Sequence, residues 1–343
     1  MKWTENKNRP IFVIAEAGSN HNGDFELAKK LVQEAKKSKA NAVKFQSFKA
    51  DELFSTKSRK VNNFDVFDLF EPLEVSNSWL TDLNKYCNDV DIEFMCTPFD
   101  ERSVDFLYDL GVKRLKVSGF ESTDLRFIRH VASTELPIIV SAGLGCSVDF
   151  IQRIISTCKQ MGCDDITILH CNSAYPTPQE EINLDTIVKI GNQYPNIKVG
   201  LSDHTLSTVT PALAVMLGAT CIEKHFTLSK SMEGPDHSFA LEPNELAQMV
   251  HYIHTAEASR GLKDTFTVSE KEGSIQGMRS IILKNDIKRG EKLTSDKLTT
   301  KRPFYEGNIP ACDFFSITDR QFTASCDLKK DDFLLKTHLK EVK

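Results

Sequence analysis

No stretch of this chain approaches the roughly 18 consecutive apolar residues of a membrane span, so a spanning helix is not expected. Basic charge is not in excess either: 43 Lys and Arg face 48 Asp and Glu, a net charge of −5. Without a basic footprint, nucleic acid is not an expected partner. The opening MKWTENKNRP lacks the apolar run of a secretory leader, and a cytoplasmic protein is expected. None of the nine cysteines stands in a CxxC pair, and an odd, scattered set argues for reduced thiols rather than a disulfide frame. Neither GxGxxG after the first strand nor GxxxxGK[ST] occurs, which weighs against a nucleotide-binding fold.

What is present is a regular alternation. Strand-like apolar runs occur at 11–15, 42–45, 92–95, 114–117, 137–140, 166–169, 197–201 and 219–223. Between them lie amphipathic segments at 24–38, 78–89, 100–110, 123–133, 147–161, 183–194 and 211–217, and another at 243–259 follows the last strand. Eight βα units in about 250 residues fit a closed (β/α)8 TIM barrel better than an open doubly wound sheet, although pattern alone leaves both open. With 343 residues, 40% of them hydrophobic and 27% charged, the chain has room for a large core and a second domain. The barrel is expected over 1–260. A polar, glycine-containing linker follows at 261–278, and a small domain of short strands and turns at 279–343.

In such barrels, functional groups gather at the C-terminal ends of the strands. Here these ends carry Glu16, Lys44 with Gln46, Thr97, Lys116 with Glu121, Ser141, His170 followed by Tyr175, Ser202 with His204, and His225. A lysine directly after an apolar strand is costly to desolvate unless an anion meets it. Two of them with serine and threonine hydroxyls describe a pocket for a small, multiply anionic ligand. Taken singly, each lysine also reads as a snorkelling surface residue. His204 and His225 sit where consecutive strands stop, so parallel neighbours bring them within reach of one ion. A hydrogen-bonded structural histidine is the plainer reading of each.

The segments IAEAGSNHNGD, AVKFQSFKA, CTPFD, LHCNSAYPTP, VGLSDHT, IEKHFTLSKSMEGPDHS and TKRP, in this order and spacing, resemble the sialic acid synthases, enzymes that make N-acetylneuraminic, legionaminic or pseudaminic acid. The resemblance covers nearly the whole chain. It implies a TIM barrel joined to a C-terminal antifreeze-like (SAF) domain. It implies condensation of phosphoenolpyruvate with the open-chain aldehyde of an N-acetylmannosamine-type sugar, and a divalent ion, Mn2+ or Mg2+, on His204 and His225. By the same resemblance Lys44, Thr97, Lys116, Ser141 and Ser202 receive phosphoenolpyruvate. Glu16, Gln46, Glu121, Tyr175 and Asp236 lie at the acceptor sugar, with Glu16, Lys116 and the two histidines catalytic. The family's dimers further imply that Arg302 reaches from one subunit's C-terminal domain into its partner's barrel. The chain departs from the family pattern where KIxSxE is expected: it reads Lys116-Val117-Ser118-Gly119-Phe120-Glu121, with glycine at the usual serine position. Two other readings stay open: the same chemistry on a 6-phosphorylated or other acceptor, and a catalytically silent sugar-binding barrel.

Overall fold

In a computed structural model the chain forms two compact units, Met1–Arg260 and Gly261–Lys343. The structure describes residues 10–61 and 64–341. Residues 1–9, on which the expectation about a missing leader rests, lie outside the described residues.

Eight parallel strands build the first unit: β1 (Phe12–Gly18), β2 (Ala42–Ser47), β3 (Glu93–Pro98), β4 (Leu115–Val117), β5 (Ile138–Ala142), β6 (Ile166–Cys171), β7 (Lys198–Asp203) and β8 (Cys221–His225). Hydrogen bonding runs in the order β3-β2-β1-β8-β7-β6-β5-β4, and the two terminal strands lie side by side, leaving one seam in a nearly closed barrel. Helices α1 (Phe25–Lys37), α2 (Asn77–Asp89), α3 (Glu101–Asp109), α4 (Leu125–Ala132), α5 (Ile151–Gln160), α6 (Asp185–Gln193), α7 (Thr210–Met216) and α8 (Pro243–Ser259) follow the successive strands. Local chemistry sets their ends. In α1 the Asp24 carboxylate accepts from the Glu26 and Leu27 amides, and Lys36 and Lys37 occupy the last turn, matching the helix dipole at both ends. Its buried residues Ala28, Leu31, Val32 and Ala35 form a single stripe against the strands.

The strands run further than their apolar runs suggested. Several end two or three residues beyond, so Glu16, Gln46, Thr97, Ser141, Ser202 and His225 stand inside the ladder rather than after it. Backbone pairing in a parallel sheet is indifferent to side-chain polarity, so a hydrophobic pattern ends before the strand does. Alternation along each strand then sorts the side chains. Inward positions begin with an apolar plug of Ile14, Ala42, Met95, Ile139, Leu169 and Cys221. Two residues further on, the same faces present Glu16, Lys44, Thr97, Ser141, Cys171 and Glu223 to a cavity. A dry floor therefore supports a polar chamber.

The second unit has its own small core, including Ile281, Leu283, Leu298, Ile309 and Leu334. Its antiparallel pairs are β9 (Ser280–Leu283) with β10 (Leu298–Lys301), and β11 (Phe322–Ala324) with β12 (Leu339–Glu341). The segment 261–278, expected as a linker, belongs to this unit and is helical over α9 (Val268–Gly277). A capping box explains it: Thr267 accepts from the Glu270 amide while the Glu270 carboxylate accepts from the Thr267 amide. That signature outweighs the glycines on which the linker reading relied. No helix among the described residues is long and apolar enough to cross a membrane.

Candidate active site

The chamber at the C-terminal ends of the strands is a cavity of about 470 Å3, within the usual size for a small-ligand site. Of the thirteen residues singled out in the sequence, twelve line it: Glu16, Lys44, Gln46, Thr97, Lys116, Glu121, Ser141, Tyr175, Ser202, His204, His225 and Asp236. The thirteenth, Arg302, belongs to the second unit, where it directly follows β10 and is exposed.

Four buried ionisable side chains, Glu16, Lys44, Lys116 and Glu223, stand directly above the apolar floor. Lys44 Nζ lies 2.7 Å from Glu16 Oε2 and 3.7 Å from Glu223 Oε2, and it donates to Thr97 Oγ1 at 2.7 Å. Lys116 Nζ lies 3.3 Å from Glu223 Oε1 and donates to Ser141 Oγ at 2.9 Å. Ser202 donates to Glu223 Oε1 at 3.1 Å, and Gln46 Nε2 to Glu16 Oε1 at 3.2 Å. The two carboxyls are driven apart. Burial is the largest influence on both and raises both, but for Glu223 the two lysines outweigh it and hold the carboxyl well below the usual range. For Glu16 burial prevails over Lys44, and the carboxyl is pushed up. Lys44 is kept charged, since its two carboxylate neighbours outweigh burial. The lysines, with Thr97, Ser141 and Ser202, thus form a preassembled anion cradle in which Glu223 holds the place of negative charge.

The histidines converge beside this cradle, their ring centroids 5.4 Å apart. Burial holds both imidazoles neutral, and His204 pushes His225 further in the same direction. His204 Nδ1 is 2.7 Å from the Asn172 carbonyl, which makes Nδ1 the protonated nitrogen and leaves Nε2 with a free lone pair. His225 Nδ1 is buried without a hydrogen-bond partner, and Asp236 Oδ2 stands 3.8 Å from it. Two neutral imidazoles, one with an orphaned nitrogen and each with a lone pair, suit a borderline divalent ion. Among the described residues no group of three or more His, Cys, Asp or Glu side chains is placed to hold a metal.

Around the pair stand the other groups. Tyr175 packs on His204 with centroids 4.2 Å apart. Glu121 accepts from Ser118 Oγ, and its carboxyl is raised by burial. Asp236, also raised by burial, to about 6, approaches Gly18: a Cβ there would lie 2.8 Å from Asp236 Oδ2, on a residue with φ of +53°. Position 119 is glycine for a related reason. A Cβ on Gly119 would meet Gly143 Cα and Ser173 Oγ, each at 3.2 Å, and one on Gly143 would lie 2.6 Å from Gly119 Cα. The loops after β4 and β5 therefore touch backbone to backbone, and a serine at 119 needs them to part.

Three features escaped the sequence reading. Glu223 bridges the lysines, and its signal was its place two residues before His225 on one strand face. Asp203 and Lys224 form a fully buried ion pair of 2.7 Å on the outward face, where Lys224 also donates to the Thr205 carbonyl and ties together the strand ends that carry the histidines. A wall of phenylalanines, Phe54, Phe70, Phe99 and Phe120, comes from the connections that follow β2, β3 and β4, whose conformation no periodicity reveals. His170, noted at a strand end, bonds through Nε2 to the Ile182 carbonyl, and His21, beyond the end of β1, packs on Trp79 and accepts from the Gly23 amide. Neither lines the chamber.

An eight-stranded parallel barrel whose C-terminal mouth joins an anion cradle to a neutral histidine pair defines a small-molecule enzyme site. The chain belongs to the NeuB family, whose model matches residues 31–265. It is 40% identical over 306 residues, 85% of each protein, to N,N'-diacetyllegionaminic acid synthase of Legionella pneumophila. Among solved structures it resembles N-acetylneuraminic acid synthetase of Leptospira borgpetersenii (33% identity, TM-score 0.71, covering 78% of this chain and 90% of that one). It also resembles the spore coat polysaccharide biosynthesis protein SpsE of Bacillus subtilis (31% identity, TM-score 0.67, covering 98% and 97%).

Proposed function

We propose that the protein is a nonulosonic-acid synthase that condenses phosphoenolpyruvate with the open-chain aldehyde of an N-acetylated mannosamine-type sugar and releases phosphate. The observation that carries this reading is the pairing of Lys44 and Lys116, each on a hydroxyl partner, with two neutral histidines at one barrel mouth. Phosphoenolpyruvate displaces the internal contacts of the cradle: its phosphate and carboxylate take the ammoniums of Lys44 and Lys116 and the hydroxyls of Thr97, Ser141 and Ser202. C3 of the enol then attacks the aldehyde carbon, forming the new C–C bond, and the aldehyde oxygen takes up a proton. Glu16, held toward its protonated form by burial, is the group that orients the sugar and handles that proton. Water adds to C2 and loses a proton; the C2–O bond to phosphate then breaks, the C2 hydroxyl gives its proton to the departing phosphate, and a ketone is left. His204 and His225 would hold a divalent ion, Mn2+ or Mg2+, which supplies Lewis-acid polarisation of a carbonyl. Gln46, Glu121, Tyr175 and Asp236 meet the sugar's hydroxyl and N-acetyl groups. Purified protein given phosphoenolpyruvate and N-acetylmannosamine, its 6-phosphate or a 2,4-diacetamido-2,4,6-trideoxy hexose is expected to release phosphate with at least one acceptor. No release with any of them, with manganese present, refutes the reading.

The second unit is read as the antifreeze-like domain of a homodimer, with Arg302 completing the partner's site. What supports this is an exposed arginine at the end of β10 with no acidic partner among the described ion pairs, together with a barrel mouth that must exclude water from a reactive enol ether. Arg302→Ala and Glu16→Ala are each expected to be inactive alone. After subunit exchange, half of randomly paired dimers are mixed and carry one intact site of two, so the mixture should recover roughly a quarter of wild-type activity. No recovery after demonstrated exchange would show that Arg302 does not act across the dimer.

A further inference from the structure

The two histidines are held in place by different means. His225 is the last residue of β8, where it pairs in register with Glu16 and its carbonyl accepts from the Leu241 amide at 2.9 Å. His204 lies one residue beyond the end of β7, where the sheet ladder no longer fixes its backbone. Loop residues after β6 give it two holds, the Thr177 amide on its carbonyl at 2.9 Å and the Asn172 carbonyl on Nδ1. Its two neighbours in the chain are fixed from β8. Lys224, in register with Asp203, sends its ammonium to Asp203 Oδ2 at 2.7 Å, to the Thr205 carbonyl and to Thr205 Oγ1 at 3.4 Å. The Asp203 carboxylate closes the clamp, accepting from the Thr205 amide at 2.9 Å and from Thr205 Oγ1 at 3.2 Å. The three polar contacts of one ammonium, on the residue before His225, thus fall on the two residues that flank His204.

Stability does not account for this pair. Asp203 and Lys224 are buried on a strand face that is otherwise apolar, with Val199, Leu201 and Ile222 in the same core. Apolar residues of similar volume usually serve such a face as well as a buried ion pair or better. Contact with substrate does not account for it either, since neither residue lines the chamber. Resting on the reading of His204 and His225 as a metal pair, we propose that Asp203 and Lys224 are positioning residues for that pair. Lys224 ties the free end of β7 to the ladder of β8 and so sets the spacing of the two imidazoles. Groups that orient metal ligands without touching the ion typically govern its affinity by about 10- to 100-fold.

The test measures melting temperature and manganese binding to the substrate-free protein, the latter from the electron paramagnetic resonance signal of the free ion. Wild type is compared with Lys224→Met, Asp203→Asn and the double variant. Each single variant strands a buried charge and should melt lower, whereas the double variant leaves no charge alone and should melt close to the wild type. Manganese affinity should part from stability: in the double variant, as in the singles, Kd is expected to rise about tenfold or more. Binding should remain at one site per chain, unlike in His204→Ala, which loses a ligand and with it the site. A double variant that melts like the wild type and binds manganese as tightly overturns the inference, while the metal and synthase readings stand. Should the double variant fail to fold, Asp203→Asn, which keeps the shape of the side chain, decides by the same affinity measurement. A wild type that binds no manganese overturns the metal reading, and this inference falls with it.

Discussion

Alanine in place of His204 or His225 is expected to lower kcat by roughly a thousandfold or more while leaving the barrel folded. Each substitution removes half of the imidazole pair that lines the chamber, and neither carboxylate nearby can replace it: Glu223 is committed to the lysines, and Asp236 is neutralised as pH falls toward about 6. The structural cost is small and unequal. His225 Nδ1 has no partner, so His225→Ala orphans nothing, whereas His204→Ala takes from the Asn172 carbonyl the nearer of its two donors, leaving Thr177 Oγ1 at 3.3 Å, and costs about 1 kcal/mol. Melting temperature should therefore fall slightly for His204→Ala and less for His225→Ala. Dialysis against chelator should inactivate the wild type, and added manganese should restore it but not either variant. Titration of apo protein with manganese should show one site per chain in the wild type and none in the variants. Full activity after exhaustive chelation would end the metal assignment.

The barrel was legible in the sequence because its physics is local: strands buried on both faces are short apolar runs, and helices covering them repeat at 3.6 residues. Lys44 and Lys116 were legible for the opposite reason, since a charge at the end of an apolar strand breaks the pattern and demands an explanation. Glu223 was hidden because it sits inside such a run between Ile222 and Lys224, and only the closed barrel shows that its side chain turns inward while that of Lys224 turns outward. The wall of Phe54, Phe70, Phe99 and Phe120 was hidden for want of any period: these residues come from three strand-to-helix connections, Phe70 ending a helix of only five residues (Val66–Phe70), and an aromatic so placed reads equally as core, surface or site. Likewise, the glycine at 119 stood out only as a departure from the family pattern, and its packing against Gly143 is a long-range contact that spacing cannot express.

Lys116→Met is expected to raise the KM for phosphoenolpyruvate by about 30- to 1000-fold, equivalent to about 2 to 4 kcal/mol, with the sugar KM little changed. Two effects must be separated, because Lys116 has a partner before any substrate arrives. Without it Glu223 keeps the Ser202 hydroxyl and one cation, Lys44 at 3.7 Å, and breaking a buried pair costs up to about 3 to 5 kcal/mol of stability. A lower melting temperature is therefore expected in the single variant, and poor binding there could be blamed on a disturbed fold. Adding Glu223→Gln removes the stranded charge. The double variant should regain most of the lost melting temperature and still bind phosphoenolpyruvate poorly, because the cation that met the anion is gone. Lys44→Met should show the same loss of phosphoenolpyruvate affinity with a smaller fall in stability, since Glu16, already pushed up by burial, can take a proton and shed its charge. A sugar KM that rises alone, with that for phosphoenolpyruvate constant in both lysine variants, would mean that these ammoniums serve the acceptor and that the anion cradle has been assigned to the wrong substrate.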